Sequence, residues 1–359
     1  MPLSLSLSLF LSLSDFPVAA SELLISFHLK GGAIVKRIAV LDDYQGKVLS
    51  LPYWDRLRGR AHLEVFRDTI ADEAALVRRL SPFEILVAIR ERTRFTGSLL
   101  GQLPQLDLLA ITGRNSGHVD VPAATKCGIL VTDTGGSGAG PVELTIALIL
   151  ATVRRIPQED RLLRAGQWQQ SIGIELAGKT LGIVGLGRIG TRIAAFGKFL
   201  GMRVIAWGPT LTAERAKAAG AEFVSLEQVL SDSDVISLHL RLTDLSRGII
   251  TADLLSRMKP TAYLVNTARG PLVDEAALVA ALRDRRIAGA GLDVYGVEPL
   301  PSDDPLLQLD NVVLTPHLGY VTAEAYDVFF REVVENIEAY LDGRTPPRAL
   351  NPETRQRQG

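Results

Sequence analysis

Residues 181–190 read Leu181-Gly182-Ile183-Val184-Gly185-Leu186-Gly187-Arg188-Ile189-Gly190, an apolar run that leads into glycines spaced as G-x-G-x-x-G. The apolar run predicts a short buried strand, and residues 191–200 predict a helix. Gly185 permits a tight turn, Gly187 lets the backbone approach a pyrophosphate, and Gly190 lets helix and strand pack closely. The stretch therefore predicts the opening of a dinucleotide-binding unit.

Strands and helices alternate on both sides of this stretch. Before it, we predict strands at residues 37–41, 62–66, 85–89, 106–112 and 129–132, with helices at 45–57, 72–80, 99–103 and 142–153. After it, we predict strands at residues 203–207, 223–224, 235–238, 263–266, 289–293 and 312–314, with helices at 213–219, 226–231, 252–258, 274–284 and 323–341. Strands separated by helices indicate parallel sheets covered on both faces. We therefore predict an α/β protein with two doubly wound Rossmann-like domains and a cleft between them.

The composition narrows the choice of partners. A chain of 359 residues with 47% hydrophobic and 22% charged residues has enough material for two packed domains. The formal net charge of −1 gives no support for a nucleic-acid or membrane partner. The single cysteine, Cys127, excludes an intramolecular disulfide and a cysteine-based metal cluster. We expect no bound metal.

Residues 1–34 differ from the rest of the chain. Leu and Ser alternate from Leu3 to Ser14, and the small residues Val18-Ala19-Ala20 follow, so the segment could be a signal peptide. However, Met1-Pro2 supplies no basic side chain at its start. We interpret residues 1–34 as a disordered or non-native extension, with secretion as the alternative.

Three side chains follow late predicted strands. Arg269 comes directly after one strand, Glu298 lies in the loop after the next, and His317 follows an apolar run. A guanidinium can hold a carboxylate with two parallel hydrogen bonds, and a histidine can move a proton near neutral pH. A carboxylate beside the imidazole would stabilise its charged form. Because ligands bind beyond the carboxyl ends of parallel strands, we interpret these residues as a candidate site.

The chain from about residue 36 to 343 resembles the D-isomer-specific 2-hydroxyacid dehydrogenases. The resemblance rests on residues 184–190, on 234–240 (Asp-Val-Ile-Ser-Leu-His-Leu), on 266–274 (Asn-Thr-Ala-Arg-Gly-Pro-Leu-Val-Asp), on 291–295 with Glu298-Pro299, and on 315–319 (Thr-Pro-His-Leu-Gly). It implies an enzyme that transfers a hydride between NAD(P)H and C2 of a small 2-oxo or D-2-hydroxy acid. A regulatory protein of the same fold that senses NAD(H) is the alternative.

The resemblance also implies the roles of individual residues. Arg269 would orient and polarise the substrate, His317 would exchange the proton, and Glu298 would stabilise the imidazolium. The loop containing Arg114 and Asn115 would bind the substrate carboxylate. The implied cofactor contacts are Gly185, Gly187, Arg188, Ile189, Gly190, Gly208, His239, Leu240, Thr267, Ala268 and Asp293.

The family pattern implies a domain division and an assembly. Residues 35–133 with 318–345 would form the substrate domain, and residues 134–317 would form the dinucleotide-binding domain. The chain would then cross the cleft twice, as in a double hinge. The resemblance further implies a homodimer, in which the helix after Pro141 takes part, and a cytoplasmic location.

Two positions leave alternatives open. Gly208 stands where NAD-specific relatives carry an acid, and Arg215 is the nearest cation, so we expect NAD but keep NADP as an alternative. Residues 90–94 read Arg-Glu-Arg-Thr-Arg. This loop either faces the cleft and accepts an anionic or phosphorylated substrate, or it is a solvated charged surface.

Overall fold

The computed structural model describes residues 35–115 and 117–354. The interpretation of residues 1–34 as an extension therefore lies outside the described residues.

The first sheet has five parallel strands in the order β2-β1-β3-β4-β5. The strands are β1 (Lys36–Leu41), β2 (Ala61–Val65), β3 (Ile85–Ala88), β4 (Leu108–Ile111) and β5 (Leu130–Thr132). The connecting helices are α1 (Glu73–Leu80), α2 (Gly97–Gly101) and α3 (Val121–Lys126). The strands β3 and β4 are fully buried, as their unbroken apolar sequences require.

The second sheet has seven parallel strands in the order β12-β11-β10-β9-β6-β7-β8. The strands are β6 (Thr180–Val184), β7 (Arg203–Trp207), β8 (Glu222–Phe223), β9 (Val235–Leu238), β10 (Tyr263–Asn266), β11 (Gly289–Leu292) and β12 (Val312–Leu314). The remaining helices are α4 (Gly140–Val153), α5 (Ile156–Arg164), α6 (Arg188–Phe199), α7 (Ala213–Ala218), α8 (Leu226–Asp232), α9 (Ala252–Ser256), α10 (Glu275–Arg283) and α11 (Ala323–Leu341). The predicted α/β class with two doubly wound sheets is confirmed.

The strand order reverses once in each sheet, between β1 and β3 in the first and between β6 and β9 in the second. At such a point the two neighbouring connections leave on opposite faces, which opens a crevice at the carboxyl ends of the strands. The glycine-rich turn follows β6 and therefore lies at the crevice of the second sheet.

The last helix returns to the first sheet. In α11, Phe329 and Phe330 are buried in one apolar cluster with Ile38 and Val40 of β1. The backbone N–H of Leu350 then donates to the Val131 carbonyl at 2.8 Å, so the chain beyond residue 345 also packs against β5. The first sheet is thus completed by the end of the chain.

The two crossings between the sheets touch each other. The first crossing ends at Gly140, where α4 begins, and the second passes through Gly319. A Cβ atom at Gly140 would lie 2.6 Å from the carbonyl oxygen of Gly319, so only glycine fits at this approach.

Some local predictions are wrong. The helix predicted at residues 45–57 is instead two short 3₁₀ segments, Val48–Ser50 and Pro52–Leu57, because Pro52 lacks an N–H donor and disfavours helical geometry at Leu51. Helices α3 and α5 were not predicted, although each begins with a proline in its first turn.

Over residues 35–115 and 117–354, no helix combines the length and the apolar character that a membrane crossing requires.

Candidate active site

The β6–α6 turn is built from close backbone approaches. Gly185 has φ +102°, and a Cβ atom there would lie 2.8 Å from the carbonyl group of His239. A Cβ at Gly190 would lie 2.3 Å from the carbonyl oxygen of Gly185. Side chains are excluded at both positions, so the turn holds α6, β6 and the end of β9 together.

The N-terminus of α6 presents an open surface. Gly187 is the N-cap residue and provides no side-chain cap, and a Cβ there would meet none of the described atoms within 4 Å. The guanidinium of Arg188 lies against Gly138, where a Cβ would be 3.2 Å from its Nη1. Helix N–H groups, open space and an arginine together fit an anionic pyrophosphate.

The next strand of the crevice ends without an acid. Gly208 is buried at the end of β7, and its Cβ would lie 3.8 Å from the Cα of Gly185. The Arg215 Nη1 atom donates to the Thr210 carbonyl at 2.7 Å, which places a guanidinium at the loop that follows β7. These residues fit a ribose with either a 2′-hydroxyl or a 2′-phosphate.

The remaining predicted cofactor residues follow β9 and β10. His239 Nε2 shares a hydrogen bond of 2.8 Å with Ser237 Oγ, and the adjacent Leu240 lies close to Gly185. Thr267 Oγ1 lies 2.7 Å from Thr145 Oγ1 of α4. Ala268 follows in the same turn. The structure thus brings these residues to one edge of the second sheet, since both strands end there.

An imidazole and a carboxylate meet at the end of β12. His317 Nδ1 lies 2.6 Å from Glu298 Oε2, and Glu298 Oε1 accepts the backbone N–H of Tyr295 at 2.9 Å. His317 has φ +52°, a left-handed conformation that a non-glycine residue adopts only where its surroundings impose it.

Asp293 imposes the conformation of the His317 loop. Its carboxylate accepts hydrogen bonds from the Thr315 hydroxyl at 2.7 Å, the Leu318 N–H at 2.6 Å and the Gly319 N–H at 3.0 Å. The side chain is wholly buried, and burial raises its pKa above the usual value. Asp293 is predicted as a cofactor contact, but its carboxylate accepts these hydrogen bonds from the loop that carries His317.

Arg269 leaves the end of β10 and reaches toward the first sheet. Its Nη1 donates to the Ala268 carbonyl at 2.6 Å, and its Nη2 donates to Glu91 Oε1 at 2.6 Å. The Asn266 amide donates to the Arg269 carbonyl at 2.9 Å and fixes the turn. The candidate site therefore spans the cleft between the two sheets.

A short series of contacts joins Arg269 to His317. Glu91 Oε1 also accepts from Arg90 Nη2 at 3.0 Å. The Arg90 guanidinium carbon lies 5.3 Å from the centre of the Tyr320 ring, and that ring meets the imidazole of His317 edge-on at 5.4 Å. The guanidinium and the acid-backed imidazole therefore share one region of the cleft.

The predicted substrate loop follows β4. Asn115 Oδ1 accepts the Gly117 N–H at 3.0 Å, and its Nδ2 donates to the Val119 carbonyl at 3.2 Å, so this side chain shapes the loop itself. Arg114 is exposed. Gly113 has φ +70° and donates its N–H to Thr134 Oγ1 at 2.6 Å, so this N–H is already satisfied within the chain.

Sequence reasoning missed several residues of this region. Glu91, Asn266 and His118 are not among the site residues that the sequence pattern predicts. The burial of His118 beside Glu91 and Arg269 arises from the tertiary fold. The sequence signal that could have found Glu91 is an acid placed between arginines directly after a buried strand.

Comparison with known proteins decides the family. Residues 146–319 match the family described as D-isomer specific 2-hydroxyacid dehydrogenase, NAD binding domain. The chain is 43% identical over 270 residues to a glyoxylate reductase of Aeropyrum pernix, covering 72% of this chain and 81% of that protein. The chain belongs to the D-isomer-specific 2-hydroxyacid dehydrogenases.

Solved structures agree with this assignment. A phosphoglycerate oxidoreductase from Vibrio cholerae has a TM-score of 0.82 and 42% identity, with 86% of this chain and 100% of that chain covered. An acyclic imino acid reductase in complex with NADPH and D-Arg has a TM-score of 0.68 and 30% identity, with 88% of this chain and 99% of that chain covered. This dehydrogenase is thus an NAD(P)-dependent oxidoreductase that interconverts 2-oxo and 2-hydroxy acids.

His118 is a buried histidine close to Glu91 and Arg269. Burial lowers its pKa to about 4, the negative charge of Glu91 opposes this effect, and the positive charges of Arg90 and Arg269 reinforce it. In the unfolded chain the pKa is about 6.5. Between these values the unfolded chain binds a proton that the folded protein does not, so stability falls as the pH is lowered.

We expect the titration of His118 to lower the free energy of unfolding by about 2 kcal/mol when the pH falls from 7 to 5. Urea unfolding at both pH values, followed by circular dichroism, measures the loss. In His118→Gln the loss should be smaller by that amount, because glutamine does not titrate. An equal loss of unfolding free energy in the variant and the unaltered protein would contradict the lowered pKa of His118.

Proposed function

We propose that Arg269, Glu298 and His317 are the catalytic residues and that the enzyme reduces small 2-oxo acids to D-2-hydroxy acids. The observation that carries the proposal is the 2.6 Å pairing of His317 Nδ1 with Glu298, in the cleft region that Arg269 also reaches. This pairing leaves Nε2 of the imidazole to face a substrate oxygen. The crevice of the second sheet supports a cofactor beside it.

The histidine supplies the proton in reduction. The hydride for C2 comes from the reduced dinucleotide when it is bound. Protonated His317 donates from Nε2 to the developing alkoxide, and the Glu298 carboxylate at Nδ1 stabilises the charged ring beforehand. In oxidation, neutral His317 accepts the hydroxyl proton.

The arginine acts on charge in the transition state. The Arg269 guanidinium orients the substrate carboxylate and polarises the carbonyl oxygen. Negative charge on that oxygen grows as the hydride is transferred, so a fixed guanidinium stabilises the transition state more than the ground state. We further propose that the loop of Arg114 and Asn115 binds the far side of the carboxylate.

Replacement of His317 or Arg269 by alanine should lower kcat for glyoxylate or hydroxypyruvate reduction by about 10²–10⁴-fold, because each removes a transition-state interaction. Initial rates of NADH or NADPH oxidation measure the effect. Arg285→Ala, which loses only a surface pair with Asp310, is the matched control. A His317→Ala enzyme that kept most of its rate would exclude the proposed proton donor.

We propose that the glycine-turn residues 185–190, with Gly208, His239, Leu240, Thr267 and Ala268, hold the dinucleotide, and that Asp293 acts indirectly by holding the His317 loop. NAD is the expected cofactor, and the missing acid after β7 supports acceptance of NADP as well. We expect kcat/KM for NADH and NADPH to differ by less than about a hundredfold, since no carboxylate repels a 2′-phosphate.

Arg215→Ala should lower kcat/KM for NADPH about tenfold and leave that for NADH nearly unchanged, because a guanidinium beside Thr210 would pair with a 2′-phosphate and not with a 2′-hydroxyl. Steady-state kinetics with each cofactor test this expectation. Lys217→Ala on the same helix is the control. Equal losses with both cofactors would show that Arg215 acts through the fold alone.

We propose a cytoplasmic homodimer with residues 35–133 and 318–345 as its substrate domain and residues 134–317 as its dinucleotide-binding domain. Apolar side chains are exposed along α5 and the segment after it: Ile156, Leu163, Trp168 and Ile172, the last 92% exposed. Exposed apolar patches of this kind mark association surfaces, and the segment directly follows α4.

The double variant Trp168→Glu/Ile172→Glu should convert the dimer to a monomer, because each glutamate would be buried without a partner. Light scattering after gel filtration gives the molar mass. Leu245→Glu, at another exposed apolar position, should leave the mass unchanged. A monomeric mass for the unaltered chain would overturn the assembly.

A further inference from the structure

The Arg-Glu-Arg-Thr-Arg loop after β3 faces the cleft. The side chains of Arg90 and Glu91 are only 17% and 16% exposed, and Thr93 is buried. Of the two interpretations that the sequence left open, the solvated surface is excluded for these residues. Only Arg94 at the end of the loop is exposed.

Glu91 is shared between arginines of the two sheets. Its Oε1 atom lies 2.6 Å from Arg269 Nη2 and 3.0 Å from Arg90 Nη2. A carboxylate held by two guanidiniums is ionised, and its charge offsets that of the arginines. The bond to Arg269 places this negative charge directly beside the residue that we assign to the substrate.

The position of Arg90 shows which part of the substrate site lies next to the Glu91 carboxylate. A Cβ atom at Gly113 would lie 1.7 Å from Arg90 Nη1, so the guanidinium rests on the loop that we assign to the carboxylate. On its other side, Arg90 lies over the ring of Tyr320, which touches His317. Glu91 therefore lies at the wall of the substrate site, between the carboxylate loop and Arg269.

Of the other cationic side chains described near this wall, Arg92 is hydrogen-bonded and also lies 5.5 Å from the centre of the Tyr320 ring, whereas Arg114 on the carboxylate loop is exposed. Arg92 Nη1 donates to the Asp42 carbonyl at 2.5 Å, and its guanidinium lies 4.3 Å from the centre of the Tyr44 ring. His118 is neutral above its lowered pKa of about 4. Among the side chains described at this wall, Glu91 is therefore the one whose negative charge lies beside Arg269.

We propose that Glu91 is a specificity-determining residue that restricts the enzyme to 2-oxo acids with a single negative charge. A phosphate or second carboxylate on the substrate would approach the Glu91 carboxylate, whose side chain is 16% exposed, so the like charges would repel more strongly than in open solvent. The inference rests on the proposed function and selects, within it, unphosphorylated monocarboxylates as the substrate class.

The test compares two substrates that differ only in a phosphate. We expect kcat/KM for hydroxypyruvate to exceed that for 3-phosphohydroxypyruvate by about a hundredfold or more in the unaltered enzyme. In Glu91→Gln this ratio should fall about tenfold or more, since the amide oxygen still accepts from Arg269 while the negative charge is gone. Glu91→Asp, which keeps the charge, should keep the ratio.

Glu64→Gln is the matched control. It also removes one negative charge from the first sheet, where Glu64 Oε2 lies 3.8 Å from Arg37 Nη2, and it should leave the ratio of the two kcat/KM values unchanged. A thermal unfolding curve shows whether each variant is folded. If Glu91→Gln does not fold, the ratio in the unaltered enzyme still decides, because equal use of the two substrates overturns the proposal.

The outcomes separate this inference from the proposed function. An unaltered enzyme that turns over neither substrate, nor glyoxylate, contradicts the proposed function and the inference together. An enzyme that reduces hydroxypyruvate, with a ratio that Glu91→Gln does not change, contradicts only the role of Glu91.

Discussion

The active site depends on a contact between two backbones. A Cβ atom at Gly270 would lie 2.1 Å from the carbonyl group of Tyr295, so the turn that carries Arg269 packs directly on the loop that carries Glu298. Glycine is required there because any side chain would separate the two loops. Since Glu298 in turn holds His317, this one approach connects the turn of Arg269 to the loop of His317.

The buried carboxylate of Asp293 then holds the loop of residues 315–319 in place. Asp293 is an acid placed where burial disfavours ionisation, and three donors from residues 315–319 compensate for the lost solvent. These donors also hold His317 at its left-handed φ. The hydrogen bonds that replace the solvation of this carboxylate thus hold the loop of His317 in one conformation.

The sequence predicted the parts of the site that follow from period and spacing. The turn at residues 185–190, the sheet class and the late strands before Arg269 and His317 all follow from local patterns. Glu91 did not, because the charges of residues 90–94 carry no information about which way the loop turns. The helix predicted at residues 45–57 was wrong because one proline outweighed its apolar spacing, and α5 was missed because it is short and charged residues interrupt its few apolar ones.

The meeting of the two interdomain crossings at Gly140 and Gly319 has a mechanical consequence. Two segments of the chain that touch at one point allow the two sheets to rotate about that point and resist sliding, so the contact acts as a pivot. His317 lies two residues before Gly319 and is therefore close to this pivot. Rotation about this pivot would therefore carry Arg90 and Glu91 away from Arg269, while His317 stays almost where it is.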